Sequence, residues 1–198
     1  TGNLYIYGAN GHDGHIVIQA TYGEESIICE DNGAVKLYYD NTMRFTTASG
    51  GITINGSCQV DGAVFPYSDN VSDVGLSSNR WDDVYATNGT IQTSDKNEKD
   101  DITATDLGLA FVNKLTPVSF KRKGKTRTHY GLVAQDVETV ITDLGKNTTQ
   151  FAPLIKSDIS ENQDGSNYRY GLRYDEFTAP LIKAVQELSA EVETLKTK

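Results

Sequence analysis

Thr93-Ser94-Asp95-Lys96-Asn97-Glu98-Lys99-Asp100-Asp101 is a hydrophilic stretch between two sequences of different character. Residues 1–93 hold 11 acidic and 3 basic residues and 12 glycines. Residues 94–198 hold 16 acidic and 15 basic residues and 6 glycines. The net charge is therefore −8 before Ser94 and −1 from Ser94 onward. These shifts place a boundary there, with a β-rich part at 1–93 and a second part at 94–198. The acidic first part argues against nucleic acid, whose binding rests on neutralising phosphates. Its charge reads as a device for solubility.

Working toward the N-terminus, short runs of β-branched and aromatic residues alternate with turn residues. The runs are 4–7, 16–18, 26–29, 35–39, 43–47 and 51–56. Such side chains suit a pleated surface, and the Gly and Asn between them supply tight turns. The spacing is about ten residues, without a strict solenoid repeat. Strands this short bury little apolar surface within one chain, so burial must be found between chains or in a longer stack. A stacked or intertwined oligomer is expected, with a single-chain sandwich as the alternative.

Working toward the C-terminus, the pattern becomes α+β. Leu107, Phe111 and Leu115 are spaced i, i+4, which predicts a short helix capped by Thr105 or Asp106 and stopped before Pro117. Residues 117–120 and 129–133 read as two strands joined by a basic turn, and 134–141 as a helix. Residues 145–167 read as loop around a strand at 153–155, followed by a strand at 168–172. A long helix is expected over 175–198. Its residues Leu181, Val185, Leu188, Val192 and Leu195 follow a 4-3-4-3 spacing, a heptad seam that must be covered by something. Alternating Val and Leu leans toward two strands in a parallel coiled coil, and a terminal helix packed on its own domain is the other reading.

No stretch approaches the roughly 18 apolar residues that a membrane span requires. The chain starts at Thr1 with no signal-like apolar run and reads as part of something longer. Cys29 and Cys58 lack metal-ligand spacing and are expected to be reduced and half-buried, as in cytoplasmic assembly.

Ser94 is the best candidate nucleophile, because Lys99 is near enough to act as its base. A lysine serves in this way where desolvation disfavours its ammonium form. On an α-helix residues five apart lie about 140° apart, so the two could meet only in a turn or loop. On spacing alone the competing reading is a solvated linker. His12 and His15 lie in a Gly-rich turn without acidic or Cys partners, so no metal is expected there, and no cofactor elsewhere. His129 reads as structural, and the basic run 121–127 as a solvated turn. Trp81 and Tyr85, at i and i+4, are expected to pack.

Four separated signatures now acquire a common meaning. They are Val74-Gly75-Leu76-Ser77-Ser78-Asn79-Arg80-Trp81-Asp82-Asp83-Val84-Tyr85, Ser94-Asp95 with Lys99, His129-Tyr130-Gly131-Leu132-Val133-Ala134-Gln135-Asp136-Val137-Glu138, and Tyr174 followed by Leu181-Ile182-Lys183-Ala184-Val185-Gln186-Glu187-Leu188. In this order they resemble the C-terminal region of phage tail fibres and tailspikes that carry the endosialidase-type intramolecular chaperone. The resemblance covers about residues 74–198. Residues 1–73 match it only in style.

The resemblance implies a mixed fold: a β-rich trimeric fibre stub of stacked or intertwined strands, then an α+β chaperone ending in a long helix. It implies a chaperone that drives trimerisation and folding of the fibre and is then released by its own serine endopeptidase activity, once and in cis. Carried over by position, Ser94 is the nucleophile and Lys99 the general base. Attack of the Ser94 hydroxyl on the Thr93 carbonyl closes a five-membered ring, whereas attack on its own carbonyl would need four members. Cleavage is therefore expected at Thr93–Ser94, through an ester that water resolves, with Ser94–Asp95 as the alternative. His129 and Gln135 could orient groups or polarise the carbonyl, without an assigned role.

The implied partners are two further copies of the chain, the upstream fibre segment and, through the mature fibre, a bacterial surface receptor, with no nucleic acid and no membrane insertion. The implied location is the virion tail fibre after assembly in the host cytoplasm, with the released chaperone absent from the virion. Two other readings compete: a trimeric fibre tip that does not cleave, and a hydrolase acting on a separate polysaccharide. No carboxylate pair before residue 94 supports the last.

Overall fold

The computed structural model describes residues 14–158 and 167–198, and the chain divides into two compact units between Ser72 and Asp73. The expected strand at 4–7 and the residue His12 lie outside the described residues, as does part of the expected loop at 145–167. The architecture is mixed, with antiparallel sheets, short helices and one long C-terminal helix.

In the first unit, five strands form one antiparallel meander in sequence order: β1 (Ile16–Thr21), β2 (Glu24–Cys29), β3 (Val35–Tyr39), β4 (Thr42–Ala48) and β5 (Gly51–Ile54). The β3–β4 connection shows why the chain turns where it does. Tyr39 pairs with Thr42, leaving Asp40 and Asn41 as a two-residue loop with φ of 50° and 53°. Two successive left-handed residues match the twist of the flanking strands, and Asp and Asn tolerate that conformation. The Asn41 side chain also reaches the β1–β2 turn, accepting from the Glu25 amide at 2.7 Å and donating to the Gly23 carbonyl at 3.1 Å. No described residue of this unit is buried in the single chain, and Val17, Ile18, Leu37 and Ile52 are exposed. Cys29 is half-buried as expected, but Cys58 is exposed because no strand forms around it; both are free.

The second unit has a core. Its elements are α1 (Leu109–Val112), β6 (Val118–Lys121), β7 (Thr128–Gly131), α2 (Ala134–Asp143), β8 (Leu154–Asp158), β9 (Tyr168–Leu172) and α3 (Thr178–Lys196). β6 pairs with β7 and β8 with β9, both antiparallel. Phe111, Val137, Ile141 and Phe177 form the buried cluster, with Phe151, Leu172 and Leu132 packed against it. Phe151 meets Phe111 and Phe177 edge-on at centroid distances of 6.2 Å, a favoured arrangement for ring quadrupoles.

The predicted helix at 107–115 contracts to one turn. Gly108, not Thr105 or Asp106, is its N-cap residue, and the Leu109 amide donates at 2.7 Å to the Glu187 carboxylate of α3. A cap supplied by a distant helix replaces the local one. α3 approaches α1 through the small buried residues Pro180 and Ala184, next to buried Phe177. The heptad seam lies on another part of the helix, and Leu181, Val185, Leu188, Val192 and Leu195 are all exposed in the single chain.

Close approach explains the glycine in His129-Tyr130-Gly131. The Tyr174 hydroxyl accepts from the Leu132 amide at 2.9 Å, and a Cβ on Gly131 would sit 2.5 Å from that oxygen. Residues 79–85 form no helix, so Trp81 and Tyr85 do not pair; they are 67% and 94% exposed, contrary to the expectation that both pack.

Candidate active site

Asp95 organises the segment around the expected nucleophile. Its carboxylate accepts from the Asn97 amide at 2.8 Å, capping a 3-10 turn at Lys96–Glu98. The Glu98 and Lys99 amides donate to the Asp95 and Lys96 carbonyls, each at 3.3 Å. This tight turn folds the chain back by the right amount. Lys99 then leaves it in extended conformation and places its Nζ 2.6 Å from the Ser94 Oγ. The five-residue spacing is thus bridged by a turn rather than a helix.

Just upstream, the Gln92 amide group donates to the Asp175 carboxylate at 3.5 Å, tying the approach to Thr93 to the 3-10 turn at Tyr174–Phe177. Thr93, Ser94 and Lys99 are exposed in the single chain. A proton can move between Oγ and Nζ at this distance, but as base the amine must be neutral, which exclusion of water favours.

The two other polar candidates lie elsewhere. His129 stacks on Phe120 across the β6–β7 pair, with ring centroids 5.6 Å apart, while the Gln135 carbonyl accepts from Thr139 within α2. The basic run lies in the β6–β7 turn, closed by the Lys125 amide on the Arg122 carbonyl at 2.9 Å. Three polar roles escape the sequence: Asp175 holding Gln92, Tyr174 on Leu132, and Glu187 on Leu109. Tyr174 and Glu187 fall within the fourth signature, but their partners lie 42 and 78 residues away.

An open apolar groove of about 520 Å³ runs beside the core, lined among others by Leu115, Val118, Tyr130, Tyr174 and Leu181. Leu181 belongs also to the heptad seam, so the groove and the exposed face of α3 are continuous.

Residues 94–146 match the model of the peptidase S74 family, described as the chaperone of endosialidase. The match begins at Ser94. More particularly, the chain is 27% identical over 177 residues to the side tail fiber protein pb1 of Escherichia phage T5, covering 84% of this chain and 13% of that protein. It also matches the solved carboxy-terminal domain of the bacteriophage T5 L-shaped tail fiber with its intra-molecular chaperone domain, at a TM-score of 0.54 and 20% identity. That alignment covers 98% of this chain and 54% of the solved one. The chain thus spans a small fraction of the relative and about half of the solved chain. The resemblance read from the four signatures is met in sequence, and the mixed architecture is met in fold.

Proposed function

We propose that this chain is the C-terminal part of a phage tail fibre, in which residues 94–198 act as an intramolecular chaperone. They bring three copies together, let the β-rich stub fold, and are released when the chain cuts itself at Thr93–Ser94. The observation that carries this reading is the 2.6 Å approach of Lys99 Nζ to Ser94 Oγ at the first residue of the family match. In the step itself, neutral Lys99 takes the hydroxyl proton as Oγ attacks the Thr93 carbonyl. The C–N bond breaks, its nitrogen takes a proton, and water hydrolyses the resulting Thr93 ester. The reacting groups are held by the fold, so positioning supplies much of the rate.

Trimerisation is supported by what the single chain leaves open. The strand unit has no buried residue among those described, and the seam of α3 with its adjoining groove presents apolar surface. Packing of neighbouring copies over these surfaces would supply the missing core and exclude water from the exposed dyad. An intertwined β assembly has many non-local pairings and folds slowly, so a compact module that fixes register first is useful. After release, the fibre is held by its unfolding barrier. The mature fibre then resides in the virion and meets a receptor on the bacterial surface.

The test is expression of the chain beside Ser94→Ala and Lys99→Ala, followed on denaturing gels over a range of protein concentrations. Loss of the full-length band is expected in the parent alone, faster at higher concentration, with Ser94 as the new N-terminus by mass spectrometry. A parent that stays intact at every concentration would leave a fibre tip that does not cleave. Cutting in both variants would remove the dyad assignment.

A further inference from the structure

The proposed cut and the structural border do not coincide. The compact unit begins at Asp73, whereas the scissile bond lies between Thr93 and Ser94. Residues 73–93 would therefore leave with the upstream fragment, yet in the intact chain they are hydrogen-bonded to the downstream one at Ser77 and Gln92. Residues 75–81 fold as a tight hairpin-like turn, in which the Leu76 and Asn79 amides donate to each other's carbonyls at 2.9 and 3.1 Å. Gly75 has φ of +89°, and a Cβ there would meet the Asn79 carbonyl at 3.2 Å and the Trp81 indole at 3.4 Å. With the Leu76 and Asn79 carbonyls occupied inside the turn, the Ser77 carbonyl at its apex accepts from the guanidinium of Arg169 on β9. Arg169 is half-buried and registers against Ser157 of β8, which lines an open surface pocket together with Asp73, Arg80 and Trp81. Gln92 on Asp175 fastens the other end of the same segment.

We propose that the 75–81 turn seated on Arg169 is a non-covalent latch that keeps the 94–198 piece attached to the 1–93 piece after the backbone is cut. This inference rests on the cleavage reading above and adds a separate step to it. Cutting the peptide bond leaves the latch untouched, so hydrolysis and departure have different barriers. A hydrogen bond from a charged donor is about twice as strong as a neutral one, and here its acceptor is presented by a preorganised turn.

The experiment tags the N-terminus of the full chain, lets it cleave, immobilises it and follows loss of the 94–198 fragment in native buffer. Arg169→Ala and Gly75→Val are compared with the parent at equal extents of cleavage. Each is expected to speed departure about tenfold or more, and the double variant no further than the faster single one. Gly75→Val leaves the sequence of the 94–198 fragment unchanged, so an unaltered thermal melt of that fragment separates loss of the turn from misfolding of the chaperone. Equal departure rates in parent and variants would overturn the latch. A second arm places a recognition site for a sequence-specific endopeptidase over 86–91 in a Ser94→Ala chain, so the cut comes from outside. If this nicked chain is held through Arg169 while the parent never cuts itself, the cleavage reading fails and the latch stands. If it separates at the same rate with or without Arg169, the latch fails whatever the parent does.

Discussion

Residues 14–72 and residues 73–198 spend their apolar side chains in opposite ways. Among its described residues the first unit has five paired strands and no buried side chain, with Ile52 61% exposed on β5. The second has small two-stranded pairs and short helices, but its Ile141 is fully enclosed beside Phe111 and Phe177. Backbone pairing alone is thus satisfied in both, while a hydrophobic core exists in one. Since apolar burial dominates the favourable free energy of folding, the second unit carries its own driving force, while the described residues of the first leave theirs exposed in the single chain.

The sharpest way to break this contrast is to remove the same side chain from each. Ile141→Ala should lower the stability of the second unit by about 2–5 kcal/mol, read from urea melts, because the vacated space cannot collapse. Ile52→Ala should leave that melt unchanged and act only on the proposed trimer, read from its dissociation in denaturant. Equal effects of the two on the single chain would end the distinction.

A smaller effect sharpens it within the core-bearing unit. Gly131→Ala should cost about 1–3 kcal/mol, because the new methyl meets the Tyr174 hydroxyl. Combining it with Tyr174→Phe should cost less than the sum of the two singles, as thermal melts of all four chains will show.

The smallest effect is electrostatic and lies on the surface of the same unit. The hydrogen bond from Lys146 holds the Asp106 carboxyl below the usual carboxylate range. Its folded pKa is lower than its unfolded one, so the pair contributes above about pH 4 and fades as pH falls through the lowered value. Asp106→Asn should lower the melting temperature by about 1 °C or less at pH 7, a gap that closes in acid and shrinks in salt. A gap that widened in acid would reverse the sign of the coupling.

Much of this was legible in the residues. The five strand runs from Ile16 to Ile54 are local patterns of β-branched and aromatic residues, and the Gly and Asn between them mark turns, as at Gly23 and Asn32 with their positive φ. The helix at Ala134 and the long C-terminal helix follow from periodicity in the same way. What failed depended on distant partners. The helix predicted over 107–115 is one turn long, because its cap comes from Glu187 and its neighbour Gly108 fits against that carboxylate. Trp81 and Tyr85 share a helical spacing, but the turn at Gly75 takes the segment elsewhere. At the candidate site, spacing alone shows that Ser94 and Lys99 need a turn to meet. The Asp95-capped turn is that local solution, whereas Gln92 on Asp175 is invisible to any local rule.

The Glu187 cap and the core position of Phe177 carry a consequence for timing on the ribosome. α1 and the aromatic cluster cannot close until the stretch from Tyr174 to Glu187 has been made and has left the exit tunnel. Domains made early in synthesis usually fold first. A chain that stops before Tyr174 therefore lacks both the cap of α1 and the Phe177 side of the aromatic cluster.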